Sequence, residues 1–176
     1  MKRKSISTSI LILLGLAATA AYAQPGQVNM TVSGSTVNST VSLQPGSPSG
    51  EYQLAGNGNL GPLTLRVISA SGAPQQSSSC SGATKLYIPV VAGAAVARFE
   101  NGDLLKLHLT SGNDCIDFVA GQALCTRVFQ IIGGTGRFNN SSGGNITLVM
   151  TVVPILADSS NNPVFFAVTG TVSGSM

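Results

Sequence analysis

Past Ala23 the apolar residues come in short β-branched runs divided by clusters of Gly, Ser, Asn and Pro, and no stretch shows the spacing of an amphipathic helix. This pattern predicts an all-β domain. The runs that read as strands are Val28 to Val32, Thr36 to Leu43, Leu63 to Ser69, Leu86 to Val91, Ala95 to Glu100, Leu104 to Thr110, Ile116 to Ala120, Leu124 to Ile132, Asn145 to Ile155 and Val164 to Ser173. About eight to ten short strands in a single domain make one barrel or one sandwich. Gln44 to Gly50 and Ala73 to Ser79 are built from turn formers without large apolar side chains. The first of them is expected to divide an N-terminal strand segment with its linker, 24–50, from a barrel domain covering 51–176.

The sharpest local signal is Glu100-Asn101-Gly102-Asp103. Asn-Gly accepts the positive φ angles of a two-residue type I′ turn. Such a turn would set Phe99 opposite Leu104, Ala97 opposite Lys106 and Ala95 opposite His108. One face would then carry Val96, Leu105, Leu107 and Leu109, and the other Lys106 and His108 beside Ala95, Ala97 and Phe99. Toward the C-terminus, Ile146, Leu148, Met150 and Val152 alternate with Val149 and Val153, and Val164, Phe166, Val168 and Val172 share a face. Strands apolar on both sides lead to the expectation of a homo-oligomer contact or a covering segment.

Charge is scarce in this chain of 176 residues, with nine Lys plus Arg, six Asp plus Glu and one His. Three of the cations, Lys2, Arg3 and Lys4, precede an apolar run from about Ile10 to Ala21 and the small-x-small ending Ala21-Tyr22-Ala23. Residues 1–23 therefore read as a secretory signal peptide. The apolar run of about a dozen residues is short of the roughly 20 needed to span a bilayer. Cleavage before Gln24 would leave a secreted or periplasmic protein with six basic residues against six acidic ones. Six dispersed cations do not make a phosphate-neutralising surface, which argues against nucleic acid as a partner. Short strands and few aromatic residues argue against outer-membrane insertion, so the protein is expected not to span a membrane.

Export permits a disulfide among Cys80, Cys115 and Cys125. A turn centred on Ala120 would oppose Cys115 and Cys125, the favoured pair; Cys80 is the alternative partner, since its loop and that of Cys115 could meet. A metal site lacks converging ligands, and no cofactor motif is present. No Gly-x-Ser-x-Gly elbow accompanies His108, which reads as a barrel-wall residue. Asp117 stands apart because it falls mid-strand between Ile116 and Phe118. Facing the lumen, it would be the first residue to test for an acid, base or ligand-orienting role, with His108 second.

One motif remains, Gly133-Gly134-Thr135-Gly136-Arg137-Phe138, after an apolar strand. It lacks the final glycine and following helix of a dinucleotide loop, and fits better as a strand end with a glycine bulge in which Phe138 plugs a core. With Ser142-Gly143 and a long strand behind it, and with Gly56 to Gly61 and Asn101-Gly102-Asp103 upstream, it resembles the signature of the allene oxide cyclase and dirigent barrels and of small secreted bacterial relatives. The resemblance covers about Glu51 to Met176 and implies an eight-stranded antiparallel barrel with a central cavity, trimeric in many plant members. Of the functional positions only Arg137 carries over, as part of the turn; pairing with a carboxylate or loop carbonyls is its favoured role over ligand binding. The expectation is an exported, non-catalytic barrel that binds a small apolar ligand or a protein partner. The alternatives are a surface or adhesive protein and a dirigent-like or cyclase-like protein that steers a reactive intermediate.

Overall fold

A computed structural model describes residues 26–176; the expected signal peptide, 1–23, and its cleavage site lie outside the described residues. The described residues form nine strands: β1 (Gln27–Ser39), β2 (Ser49–Gly58), β3 (Leu63–Ser71), β4 (Gln75–Gln76), β5 (Leu86–Phe99), β6 (Leu104–Asp117), β7 (Gln122–Gly134), β8 (Asn145–Ala157) and β9 (Pro163–Ser175). Their order is β3-β2-β1-β9-β8-β7-β6-β5-β4, and a further pairing of β3 with β5 closes an eight-stranded antiparallel barrel. The two-residue β4 continues the line of β3 along β5 after an interruption at Gly72-Ala73-Pro74, pairing Gln75 with Tyr87 and Gln76 with Leu86. Among the described residues no helix is long and apolar enough to cross a membrane.

Every long strand alternates, and its inward positions fill one core: Val28, Met30 and Val32 on β1, Phe129 and Ile131 on β7, Ile146, Leu148 and Met150 on β8. The barrel begins at Gln27 and not at Glu51, because β1 is a wall strand between β2 and β9. The supposed linker, Gln44 to Gly50, is the connection between two neighbouring strands and the start of β2. β2 escaped the strand pattern because Glu51-Tyr52-Gln53-Leu54-Ala55 holds no β-branched residue.

The β5–β6 hairpin differs from its expected form by one residue. Phe99 N–H donates to Asp103 O at 2.9 Å and Gly102 N–H to Phe99 O at 2.9 Å, so the loop holds three residues, Glu100, Asn101 and Gly102. Gly102 takes the left-handed conformation, φ 87°, as the last residue of a type I turn with a G1 bulge does. Arg98 now pairs with Leu104, Ala97 with Leu105 and Ala95 with Leu107. A slip of one position exchanges faces: Ala95, Ala97 and Phe99 join Leu105, Leu107 and Leu109 inside, and Val96 goes out.

That hairpin and the glycine-rich motif close one end of the barrel. Opposite β6, Lys106 pairs with Gly133 and Leu107 with Ile131, leaving Ile132 as a bulge, and Gly133 has φ 135°. The chain then makes a single 3₁₀ turn, Gly136–Phe138. A side chain at Gly136, φ 57°, would strike the Asp103 carboxylate. Phe138 is 1% exposed and its ring lies 4.8 Å from that of Phe99. Arg137 covers both rings at 4.6 and 4.8 Å, donates to Leu60 O at 2.7 Å and lies 3.6 Å from Asp103. Asp103 is itself held by Asn101 Nδ2 at 2.8 Å. Arg137 is thus a fastener of the plug.

Candidate functional site

The inward stripe changes character toward the other end. In the closed half Leu54, Leu65, Phe99, Leu105 and Phe129 are buried, and the last four help to enclose an apolar void of only about 30 Å³. In the open half the same strands present Gly50, Ser69, Ile88, Asp114 and Ala123, and the interior widens into a cavity of about 500 Å³. Side-chain size makes the space. Ile88, Ile116, Val152 and Phe166 supply apolar walls, and exposed loop residues Gly46, Pro48, Ala73 and Pro74 form the rim. An apolar hollow with a few convergent polar groups is the usual form of a small-molecule site.

The polar groups meet at the cavity floor. Arg127, 1% exposed, projects from β7 toward the Asp114 side chain of β6, with Nη1 at 2.6 Å from Oδ1 and Nη2 at 3.1 Å from Oδ2. Nη1 also donates to the backbone oxygens of Asn113 and Thr126 at 3.1 and 3.0 Å. Nη2 donates to the Tyr52 hydroxyl at 3.1 Å, across the barrel from β2. Room for the guanidinium stem comes from Gly112, the residue paired with Arg127, where a Cβ would press on Arg127 Cδ and the Thr126 carbonyl. Arg127 Nε is buried without a partner.

Burial governs the protonation states of this group. It raises the Tyr52 phenol far above its ordinary value, against the pull of the nearby Arg127. The buried Cys125 thiol is pushed well up by desolvation and then by the neighbouring Asp114. At Arg127 desolvation opposes the charge, and Tyr52 and Asp114 outweigh it, so the guanidinium is held cationic. A thiol kept protonated is a poor nucleophile. What the floor offers is hydrogen bonding around a neutralised ion pair.

The residues singled out from the sequence lie elsewhere, for one reason. Between Leu109, which pairs with Phe129, and Ser111, which pairs with Val128, β6 carries an extra residue, Thr110. This bulge reverses the phase of everything after it. Leu105, Leu107 and Leu109 point inward before it; Asp114 and Ile116 line the interior after it. Asp117 falls on the outer side, where Oδ1 accepts from the N–H groups of Val119 and Ala120 at 3.0 and 3.1 Å and ends the strand. His108 is exposed on the outer wall, paired with Ala94 and Gln130. Neither residue lines the cavity.

The register of the β6–β7 hairpin corrects the cysteine pairing as well. The β6–β7 loop sets Asp114 opposite Cys125 and Cys115 opposite Leu124. Cys115 and Cys125 therefore face opposite sides of the wall and cannot join. Cys80 bonds Cys115, fastening the β4–β5 loop to β6, and Cys125 stays a free thiol in the cavity lining. Tyr52, Asp114 and Arg127 were not anticipated as a site. A signal for Arg127 does exist, since a lone cation occupies the inward phase of Cys125, Phe129 and Ile131. Charges in that position require a partner within the barrel.

No protein-family model matches the chain, and no curated protein or solved structure matches it either.

Proposed function

We propose that the protein is an exported, non-catalytic barrel that binds a small, largely apolar molecule in the cavity of its open end. One observation carries this reading: about 500 Å³ of apolar-walled space stands over a buried polar floor, in a barrel whose other half is packed tight. The space follows from small residues at inward positions, and filling Gly50, Ser69 and Ala123 with Leu-sized side chains would remove it. The disulfide is compatible with an oxidising compartment outside the cytoplasm. The closed antiparallel barrel and the glycine-cornered Phe138 plug agree with kinship to the allene oxide cyclase and dirigent barrels, which we offer as part of the proposal. Exposed Leu124 and Val153 on adjacent strands support self-association as an accompaniment.

The test uses N-phenyl-1-naphthylamine, a neutral probe that brightens in apolar surroundings. The protein should bind one probe per chain, and Ala123→Phe should abolish binding while leaving the circular dichroism of the β-barrel unchanged. Undiminished binding in Ala123→Phe would place the probe elsewhere and defeat the reading. A second reading, the steering of a reactive intermediate, draws on Tyr52 and Asp114 at the floor, since confinement beside a few polar groups can orient a reaction. Turnover of a bound compound into a single stereoisomer would favour it over simple binding.

A further inference from the structure

The hydrogen-bond balance at the floor points to the chemistry of the guest, an inference that rests on the cavity being a binding site. Tyr52 is 7% exposed and lines the cavity. Its hydroxyl accepts a hydrogen bond from Arg127 Nη2 at 3.1 Å, and among the described residues it donates none. A phenol has one proton to give as well as lone pairs. Accepting from a guanidinium withdraws charge from the oxygen and makes that proton a better donor. With no acceptor supplied by the protein, that proton is directed to whatever occupies the cavity, solvent or guest.

The neighbouring groups narrow what that something is. Both terminal nitrogens of Arg127 are spent, on Asp114, Tyr52 and two backbone oxygens, and only the single buried Nε–H is left over, so an anionic head would find no free guanidinium fork. It would instead meet the Asp114 carboxylate, which lines the cavity. A cationic head would have to compete with Arg127 for that carboxylate. The walls formed by Ile88, Ile116, Val152 and Phe166 suit a hydrocarbon body. We infer that the cavity selects a neutral, mainly apolar compound bearing a carbonyl oxygen, a ketone, aldehyde or ester, whose oxygen accepts the free proton of the Tyr52 hydroxyl.

Three probes of one shape test the assignment on the disulfide-intact protein: 2-acetylnaphthalene, 2-ethylnaphthalene and 2-naphthoate. The ketone should bind about tenfold or more tightly than the hydrocarbon, the scale of one charge-supported hydrogen bond, and more tightly than the carboxylate. Its carbonyl infrared band should move to lower wavenumber on binding. Tyr52→Phe should bring the ketone down to the affinity of the hydrocarbon, leave the hydrocarbon unchanged and return the band. Equal binding of ketone and hydrocarbon with an unshifted band would overturn the carbonyl assignment and leave the cavity reading standing, and so would naphthoate binding best. Failure of all three probes, together with probe binding that survives Ala123→Phe, would overturn the cavity reading as well. Should Tyr52→Phe not fold, the infrared band of the unaltered protein decides.

Discussion

At the closed end the inward stripe holds Leu54, Leu65, Phe99, Leu105 and Phe129 under the Phe138 ring; at the open end the same strands hold Gly50, Ser69, Ile88, Asp114 and Ala123. Both ends are closed to bulk water at their deepest point, but by different physics. The closed end excludes water by close packing, reinforced by Arg137 outside the plug, where its charge stays half in solvent. The open end stops at a buried ion pair satisfied by Tyr52 and backbone carbonyls. Packing of the first kind serves stability alone, because it leaves nowhere for a guest. Polar closure of the second kind costs desolvation and contributes little net stability, yet it leaves directional groups facing the cavity.

The largest test of that contrast removes the plug. Phe138→Ala should destabilise the protein by about 3–5 kcal/mol, as loss of a fully buried aromatic side chain does, measured by urea unfolding. The variant, where folded, should bind N-phenyl-1-naphthylamine normally. Asp114→Ala should cost a similar or smaller amount, on the order of 3 kcal/mol, because Arg127 is left as an uncompensated buried charge. Unlike the plug variant it should also alter probe affinity, and equal probe binding in both variants would erase the functional difference between the ends.

Acidity gives a smaller effect confined to the open end. The Cys125 thiol and Tyr52 phenol are raised by burial, so the fold keeps both protonated while the unfolded chain releases the thiol proton near its ordinary pKa of about 8.5. Their contribution to stability is therefore fully present below that value and is lost as pH climbs toward the raised folded values. The denaturation midpoint should hold steady up to about pH 8 and fall above about pH 9, with Cys125→Ala flattening the early part of the fall. A profile identical in Cys125→Ala would mean the thiol is already solvated. The smallest expected change is at His108 on the outer wall, where replacement by Ala should shift stability by no more than about 0.5 kcal/mol and leave probe binding alone.

What the sequence made legible was the part that repeats. β-Branched alternation and turn chemistry located most of the wall strands and the bend before Phe138. What it concealed was phase. Glu100-Asn101-Gly102 supports either a two- or a three-residue loop, and in the three-residue form Asn101 holds the Asp103 carboxylate, which lies against Gly136, a partner 33 residues away that local reading does not display. Thr110 looks like any strand residue, and nothing local marks it as the extra one; its bulge is imposed by the pairing with β7. That single residue decided whether Asp117 or Asp114 faces inward, while the length of the β6–β7 loop kept Cys115 from Cys125 and left it to Cys80. Tyr52 was hidden for a third reason, its strand being poor in β-branched residues. The candidate site thus depended on long-range register, which a chain read locally does not display.

The two-residue β4 has an implication for how the wall is held together. Along Leu86 and Tyr87 the side of β5 turned away from β6 has only that short plank beside it, since β3 has already ended at Ser71. Parting it would sacrifice two rungs and leave the remaining staves and the aromatic stopper untouched. The Cys80–Cys115 bridge ties the loop just beyond that plank to β6, so the most thinly paired stretch of the wall is also the one held by a covalent staple.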